Sequence, residues 1–345
     1  MRAPLRRSAE PMPHTATVET MKAIVQDRYG SAPEDVLRFA DAPRPSAGND
    51  EILIRVRAAS VDRGTWHVMS GLPYPVRLAG FGLRRPKALN PGRSVAGIVE
   101  SVGKAVTGFI PGDEVYGAAQ GVFADYAVAG AERLALKPAN LSFEQAAAVP
   151  ISGMTALQAL RDQAQVQSGQ KVLIIGASGG VGTFAVQIAK AFGAEVTGVS
   201  SAAKADLVRG LGAEHVVDYA HDDFTDGDHR YDAIVDMGGN RRLSDLRRAL
   251  TPKGRLVIVG GETGGRWIGG FDRGVRSQLL SPFVGQKLGS LMASENSEDL
   301  NVLRDLLEAG TITSAIDRTY PLSDAAAAIR HLIDGQARGK VVITV

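Results

Sequence analysis

The sequence predicts an α/β protein of two domains, one built on a doubly wound parallel sheet and the other a smaller, partly open β-barrel. Three observations predict it. The chain has 345 residues, more than the roughly 250–300 that a single hydrophobic core usually organises. From residue 21 to about 145, short β-rich runs are punctuated by Pro and Gly, the spacing of a compact barrel. From residue 146 the rhythm becomes strand alternating with helix, the mark of a parallel sheet covered on both faces.

Composition narrows the function classes. With 44% apolar and 22% charged residues the chain is an ordinary globular one. Lys and Arg number 39 against 37 Asp and Glu. Total charge therefore gives no strong reason to expect nucleic acid or an anionic membrane as partner, and favours a small molecule. The chain contains no cysteine, which removes disulfides, thiol nucleophiles, iron–sulfur clusters and every cysteine-containing zinc site. No apolar run reaches the roughly 20 residues that span a bilayer, so a soluble, cytoplasmic protein is expected.

Taken in order, residues 1–20 carry Arg2, Arg6, Arg7 and three prolines without hydrophobic periodicity, and read as a disordered leader. A transit peptide is the other reading, but Glu10 and Glu19 interrupt the basic pattern. The first domain is expected over 21–145, with strands at 51–57, 94–102, 113–117 and 123–128. The second is expected over 146–311. Its strands fall at 171–176, 195–200, 215–217, 233–236 and 254–259, and a helix at 183–192 follows the first of them. Residues 260–282, rich in Gly and Arg, read as a mobile loop. Residues 283–292 read as an edge strand, and an unpaired apolar edge is expected to pair with its copy in a homodimer. The end reads strand, helix, strand over 312–320, 323–333 and 340–345.

The most informative motif follows the strand at 171–176. Lys171-Val172-Leu173-Ile174-Ile175 has the content of a buried strand, and Gly176-Ala177-Ser178-Gly179-Gly180-Val181-Gly182 comes next. A helical stripe of Val181, Ala185, Ile188 and Ala189 continues from it. Strand, glycine turn and helix together are the context in which such a turn binds a dinucleotide pyrophosphate, because helix N-terminal amides face the phosphates. Ala177 stands where the usual pattern has its first glycine. The second strand ends in Ser200 and Ser201, where NAD binders usually place an acid for the ribose hydroxyls. Lys204 and Tyr219 lie close in sequence. Hydroxyls and an ammonium suit a 2′-phosphate, which a carboxylate would repel, so NADPH is the expected cofactor. Lys204 as an ordinary solvated helix residue is the alternative.

The order of barrel, Ala-Ser-Gly-Gly-Val-Gly turn, Leu211-Gly212-Ala213-Glu214 with Asp218-Tyr219, and terminal Arg338-Gly339-Lys340 resembles the medium-chain dehydrogenase/reductase superfamily. Within it the chain is similar to the zinc-free quinone oxidoreductase branch, especially the reticulon-4-interacting protein group. The resemblance spans residues 21–345. It implies a Rossmann domain and a GroES-like catalytic domain, the latter completed by 312–345, with the active cleft between them. It also implies cofactor contacts. Ser178, Gly179, Gly180 and Val181 would meet the pyrophosphate, and Ser200, Ser201, Lys204 and Tyr219 the adenosine end. Gly238 and Gly260 would lie by the nicotinamide, and Gln336, Ala337 and Arg338 would make the last contact.

Zinc-dependent members of the superfamily hold their metal with Cys, His and Cys. Here those positions carry Asp62, Arg93-Ser94 and Ile151-Ser152, and protonated arginine cannot ligate a cation. No metal is expected. Asp62 is then a hydrogen-bonding loop residue or a neighbour of the nicotinamide. His67 stands where alcohol dehydrogenases relay protons, and is either a shuttle or a polar loop residue. Trp66, Tyr74 and Phe81 are candidates both for the wall of a flat apolar pocket and for the core. The implied activity is metal-free hydride transfer from NADPH to a quinone or an α,β-unsaturated carbonyl. An alcohol or aldehyde dehydrogenase is the alternative enzyme, and a nucleotide-binding scaffold without turnover is the alternative class.

Overall fold

The structure is a computed structural model and describes residues 19–226, 229–239, 241–261 and 265–345. Residues 1–18 of the expected leader lie outside the described residues. The N-terminal strands are β1 (Thr20–Gln26), β2 (Leu37–Pro43), β3 (Glu51–Val61), β4 (Ser94–Val102), β5 (Glu114–Ala118), β6 (Tyr126–Gly130) and β7 (Leu134–Leu136). The central ones are β8 (Lys171–Ile175), β9 (Glu195–Ser200), β10 (His215–Asp218), β11 (Tyr231–Asp236), β12 (Leu250–Ile258) and β13 (Lys287–Ser290). The chain continues through β14 (Ile316–Pro321) and β15 (Lys340–Thr344).

Strands β8 to β13 form a six-stranded sheet in the order β10-β9-β8-β11-β12-β13, and every pairing in it is parallel. This is the 3-2-1-4-5-6 order of the Rossmann fold, whose strand order reverses between its first and fourth strands, here β8 and β11. Val172, Leu173, Ile174, Val196, Ile234 and Val235 are wholly buried, as befits strands covered by helices on both faces. The second sheet runs β14-β15-β3-β4-β5-β7, with β6 also paired to β3. Strand β15 enters it antiparallel to β3, and the helix Ala325–Ile333 connects β14 to its parallel neighbour β15. Its core holds Ile52, Ile54, Val95, Phe123, Val341 and Ile343.

Two expectations are corrected. Residues 260–282 are not a continuous loop, because helices occupy Gly265–Ile268 and Phe271–Leu280. Their apolar side chains Trp267, Val275 and Leu279 are exposed, so the segment lacks the buried stripe by which a sequence announces a helix. The edge strand expected over 283–292 is shorter. It spans Lys287–Ser290 and pairs on one side with β12, while Ser281–Phe283 forms a 3₁₀ turn.

Candidate active site

The site begins at the sheet's reversal point. Gly176 leaves β8 with φ +84, a left-handed conformation that glycine adopts without strain. The chain then turns tightly into the helix Gly180–Ala191. A Cβ on Gly182 would stand 2.1 Å from the Gly176 carbonyl oxygen, so only glycine lets the helix come this close to the strand. The result is a helix N-terminus presented at the carboxyl end of β8, where free amides and the dipole favour an anion. This cradle fits a pyrophosphate.

The turn is clasped from the other domain. Gly339 N–H donates to the Ser178 carbonyl at 2.9 Å, and Lys204 Nζ donates to the carbonyls of Gly335 (2.9 Å) and Ala337 (2.7 Å). Burial, and then the nearby Arg338 charge, lowers the Lys204 pKa. Between the domains lies a cleft of about 350 Å³. Ser178, Gly179, Gly180, Val181, Lys204 and Ala337 line it together with Asp62.

Asp62 heads the helix Arg63–Ser70. Its Oδ1 accepts from Thr65 N–H at 3.0 Å and its own N–H donates to Thr65 Oγ1 at 3.2 Å, a reciprocal cap. The other carboxylate oxygen is buried without a hydrogen-bond partner. Asp62 is thus a capping residue at the wall of the cleft. One turn along the helix, His67 Nδ1 lies 2.7 Å from the Leu72 carbonyl. A carbonyl can only accept, so the neutral ring carries its proton on Nδ1 and leaves Nε2 as the acceptor.

His67 lines a second cavity, of about 560 Å³, with Pro73, Val76, Val259, Gly260 and Leu291 among its other walls. The walls of the two cavities adjoin at Met237 and Gly260. Met237 lines the first and Gly260 the second, and a Cβ on Gly260 would stand 2.5 Å from the Met237 carbonyl oxygen. Below this junction the wholly buried Asp236 carboxylate accepts from Gly239 N–H at 2.9 Å and pairs with Arg273 at 2.7 Å.

The other expected residues line neither cavity. Ser200 is 2% exposed and donates its hydroxyl to the Ser201 carbonyl at 3.1 Å. Ser201 opens the 3₁₀ turn that carries Lys204, and Tyr219 is exposed just beyond β10. Gly238 follows Met237, its N–H side against Gly176. Gln336 contacts His331 Nδ1 at 3.2 Å through Oε1, and Arg338 is exposed. Trp66, Tyr74 and Phe81 do not wall the second cavity either. Trp66 packs on the barrel core, Tyr74 sits edge-on to Trp267 with centroids 5.1 Å apart, and Phe81 lies under Arg93 at 5.3 Å.

Two features escape sequence reasoning. Lys340 is 1% exposed, with Nζ donating to Ser152 Oγ at 2.9 Å and to the Val61 carbonyl at 3.3 Å. Burial drives its pKa down, and the Asp62 charge opposes this. Its stem passes behind Gly180, 3.1 Å from where a Cβ would stand. A lysine opening an apolar strand reads as a solvated end, and no sequence signal says otherwise. Arg93 is the second case. It is ion-paired to Glu295, which follows β13 in the other domain, while Ser94 Oγ accepts from Ile151 N–H at 3.2 Å. Among the described residues no group of three His, Asp or Glu side chains is placed to hold a metal.

Comparison with known proteins agrees with this architecture. Residues 48–140 match the alcohol dehydrogenase GroES-like domain, and residues 211–343 match the zinc-binding dehydrogenase family model. The chain is 34% identical to the mitochondrial NAD(P)H oxidoreductase RTN4IP1 of Bos taurus, over 94% of this chain and 89% of that protein. It is 31% identical to the quinone oxidoreductase of Mus musculus, over 94% and 97%. The structure of the quinone oxidoreductase from Coxiella burnetii superposes with a TM-score of 0.82 at 30% identity, covering 95% of this chain and all of that one. With the strand order, the glycine turn and the returning C-terminal strand, these likenesses make the chain a member of the medium-chain dehydrogenase/reductase superfamily, in its quinone oxidoreductase branch, and an NAD(P)H oxidoreductase of that family.

Proposed function

We propose that the protein is an NADPH-dependent, zinc-independent reductase of quinones or α,β-unsaturated carbonyls. The observation that carries this reading is that the walls of two cavities adjoin at Met237 and Gly260, one cavity backed by the helix N-terminus at Gly180 and the other largely apolar. When bound, the cofactor supplies the hydride. The chain's own residues do the rest. The 178–181 turn would hold the pyrophosphate, Lys204, with Ser201 opening the turn that carries it, would serve the adenosine end, and the Gly260 backbone, with Gly238 behind Met237, would leave room for a flat ring. Val259, Leu291 and Val76 exclude water around a flat acceptor, and His67 holds a proton at Nδ1 on the same wall. Self-pairing along the free side of β13 is the proposed mode of homodimer formation.

Cofactor choice tests the reading. NADPH should exceed NADH by roughly ten- to a hundredfold in kcat/KM, because one charge-assisted hydrogen bond contributes about 1.5–3 kcal/mol. Lys204→Ala should remove most of that ratio. Because Ser200 is buried, the complementary change belongs one residue on, and Ser201→Asp should invert the preference. Equal use of both cofactors by the wild type would refute the phosphate-binding assignment.

Metal independence gives a second expectation. Arg93, Ser94 and Ser152, at the positions of zinc ligands in related enzymes, are committed to Glu295, Ile151 and Lys340. Prolonged dialysis against a chelator should therefore leave quinone reduction unchanged. Stoichiometric zinc, lost together with activity, would favour an alcohol dehydrogenase instead.

A further inference from the structure

The near-neutral charge of the whole chain conceals a local asymmetry. Between Asp62 and Glu100 no acidic residue occurs, whereas six Lys and Arg do: Arg63, Arg77, Arg84, Arg85, Lys87 and Arg93. Some of these are engaged inward. Arg77 lies against the rings of Tyr29 and Tyr74 and donates to the Gly71 carbonyl at 2.9 Å, and Arg93 is held by Glu295. Arg84, Arg85 and Lys87 are exposed. Beside them in the chain, Leu78 is 76% exposed and Leu83 is exposed as well.

A segment of the nucleotide-binding domain continues this surface. Tyr74 N–H donates to the Arg266 carbonyl at 2.9 Å, and Trp267 rests edge-on against the Tyr74 ring while remaining 76% exposed. Ile268 beside it is exposed too. Pro73, Val76 and Gly270, from these same two segments, line the larger cavity. Exposed large apolar side chains and exposed cations thus lie on two segments that touch at Tyr74 and Trp267, and each segment also contributes to the wall of the larger cavity.

We propose that this rim docks on an anionic lipid bilayer, so that the larger cavity opens toward the lipid. Trp, Leu and Ile beside Arg and Lys are the side chains that settle at a bilayer interface, the apolar ones among the acyl chains and the cations at the headgroups. A second copy of this chain is a poor occupant, because its rim would bring the same positive charges face to face. An apolar acceptor dissolved in the bilayer would enter the cavity without crossing water. That last consequence rests on the proposed reductase function, whereas the docking itself does not.

The test is co-sedimentation of the full chain with vesicles of phosphatidylglycerol and phosphatidylcholine in equal parts, against phosphatidylcholine alone, without cofactor. Binding is expected to the mixed vesicles only, and to weaken as salt rises. Each basic side chain near such a surface contributes about fivefold in partitioning, so Arg84→Gln/Arg85→Gln should bind about thirtyfold more weakly. Leu83→Ser should also lose binding. Both variants should reduce a water-soluble quinone at the wild-type rate, which separates failure of docking from failure of the enzyme assignment. The proposal is overturned if mixed vesicles do not bind the protein at low salt, or if the double variant binds as well as wild type. It is equally overturned if light scattering shows Leu83→Ser breaking an oligomer while vesicles are ignored.

Discussion

Replacing Gly182 with alanine should lower the melting temperature by roughly 6–12 °C and weaken NADPH binding at least about a hundredfold. The new Cβ would stand 2.1 Å from the Gly176 carbonyl oxygen and 2.8 Å from Ala177 backbone atoms. Both neighbours are main chain, so neither can swing aside. Overpacking of this kind costs about 3 kcal/mol, and each kcal/mol is worth about 2–4 °C in a domain of this size. Relief comes only by moving the turn away from the helix, which displaces the amides that face the pyrophosphate. Two charge-assisted bonds lost at about 1.5–3 kcal/mol each set the affinity estimate. Gly180→Ala is the control. There the nearest atom is the Lys340 Cδ at 3.1 Å, a side-chain atom that needs to give by only a few tenths of an ångström, and the loss of stability should be much the smaller of the two. Thermal melts and fluorescence titration of both variants decide the matter, and two indistinguishable melts would contradict the packing described.

Lys340→Met should change how stability depends on pH and should weaken NADPH binding by about tenfold or more. Burial lowers the Lys340 pKa in the folded state, so between that value and about 10.4 the unfolded chain holds more protons than the folded one. Stability of the wild type therefore rises with pH through this window and is lost as pH falls through it. Methionine does not titrate. Denaturation midpoints measured from neutral pH to about 10 should accordingly move in favour of wild type relative to Lys340→Met as pH increases. The affinity effect has a separate origin. The amine ties Ser152 Oγ and the Val61 carbonyl together behind Gly180, and methionine, which cannot donate, leaves those groups unpaired and the turn that would hold the phosphates less firmly placed. A pH-independent difference in stability would show that folding does not lower the Lys340 pKa.

What the sequence made legible was local. Strand β8, the turn at 176–182 and the helix after it are contiguous, and a run of apolar residues followed by glycines states its geometry without help from the rest of the chain. The parallel sheet followed from rhythm alone. Pairings made across long separations were not legible. Nothing near Arg93 names Glu295, and nothing near Lys204 names the carbonyls of Gly335 and Ala337. Ser200 looked available for a phosphate, yet it is the last residue of a buried strand and its hydroxyl turns back to the Ser201 carbonyl. The helix Phe271–Leu280 contains Gly274 and exposes Val275 and Leu279, so both propensity and pattern argued against it. Strand β2 is not legible either, because Leu-Arg-Phe-Ala-Asp-Ala-Pro alternates only weakly and ends in proline.

Strand β15 lies between β14 and β3, and its Lys340 reaches Val61 across 279 positions of sequence. During synthesis the first sheet therefore waits. Strands β3 to β7 emerge early and can pair, but the edge of β3 that receives β15 stays open while the whole nucleotide-binding domain is made. Such a delayed closure has a high loop-closure cost and leaves an unpaired strand edge exposed to other nascent chains. The nucleotide-binding sheet has no such dependence, since β8 to β13 are consecutive, and can mature first. Its glycine turn then offers Ser178 to Gly339 as a landing point, so the late strand docks against a surface already formed, and the order of translation becomes an order of assembly.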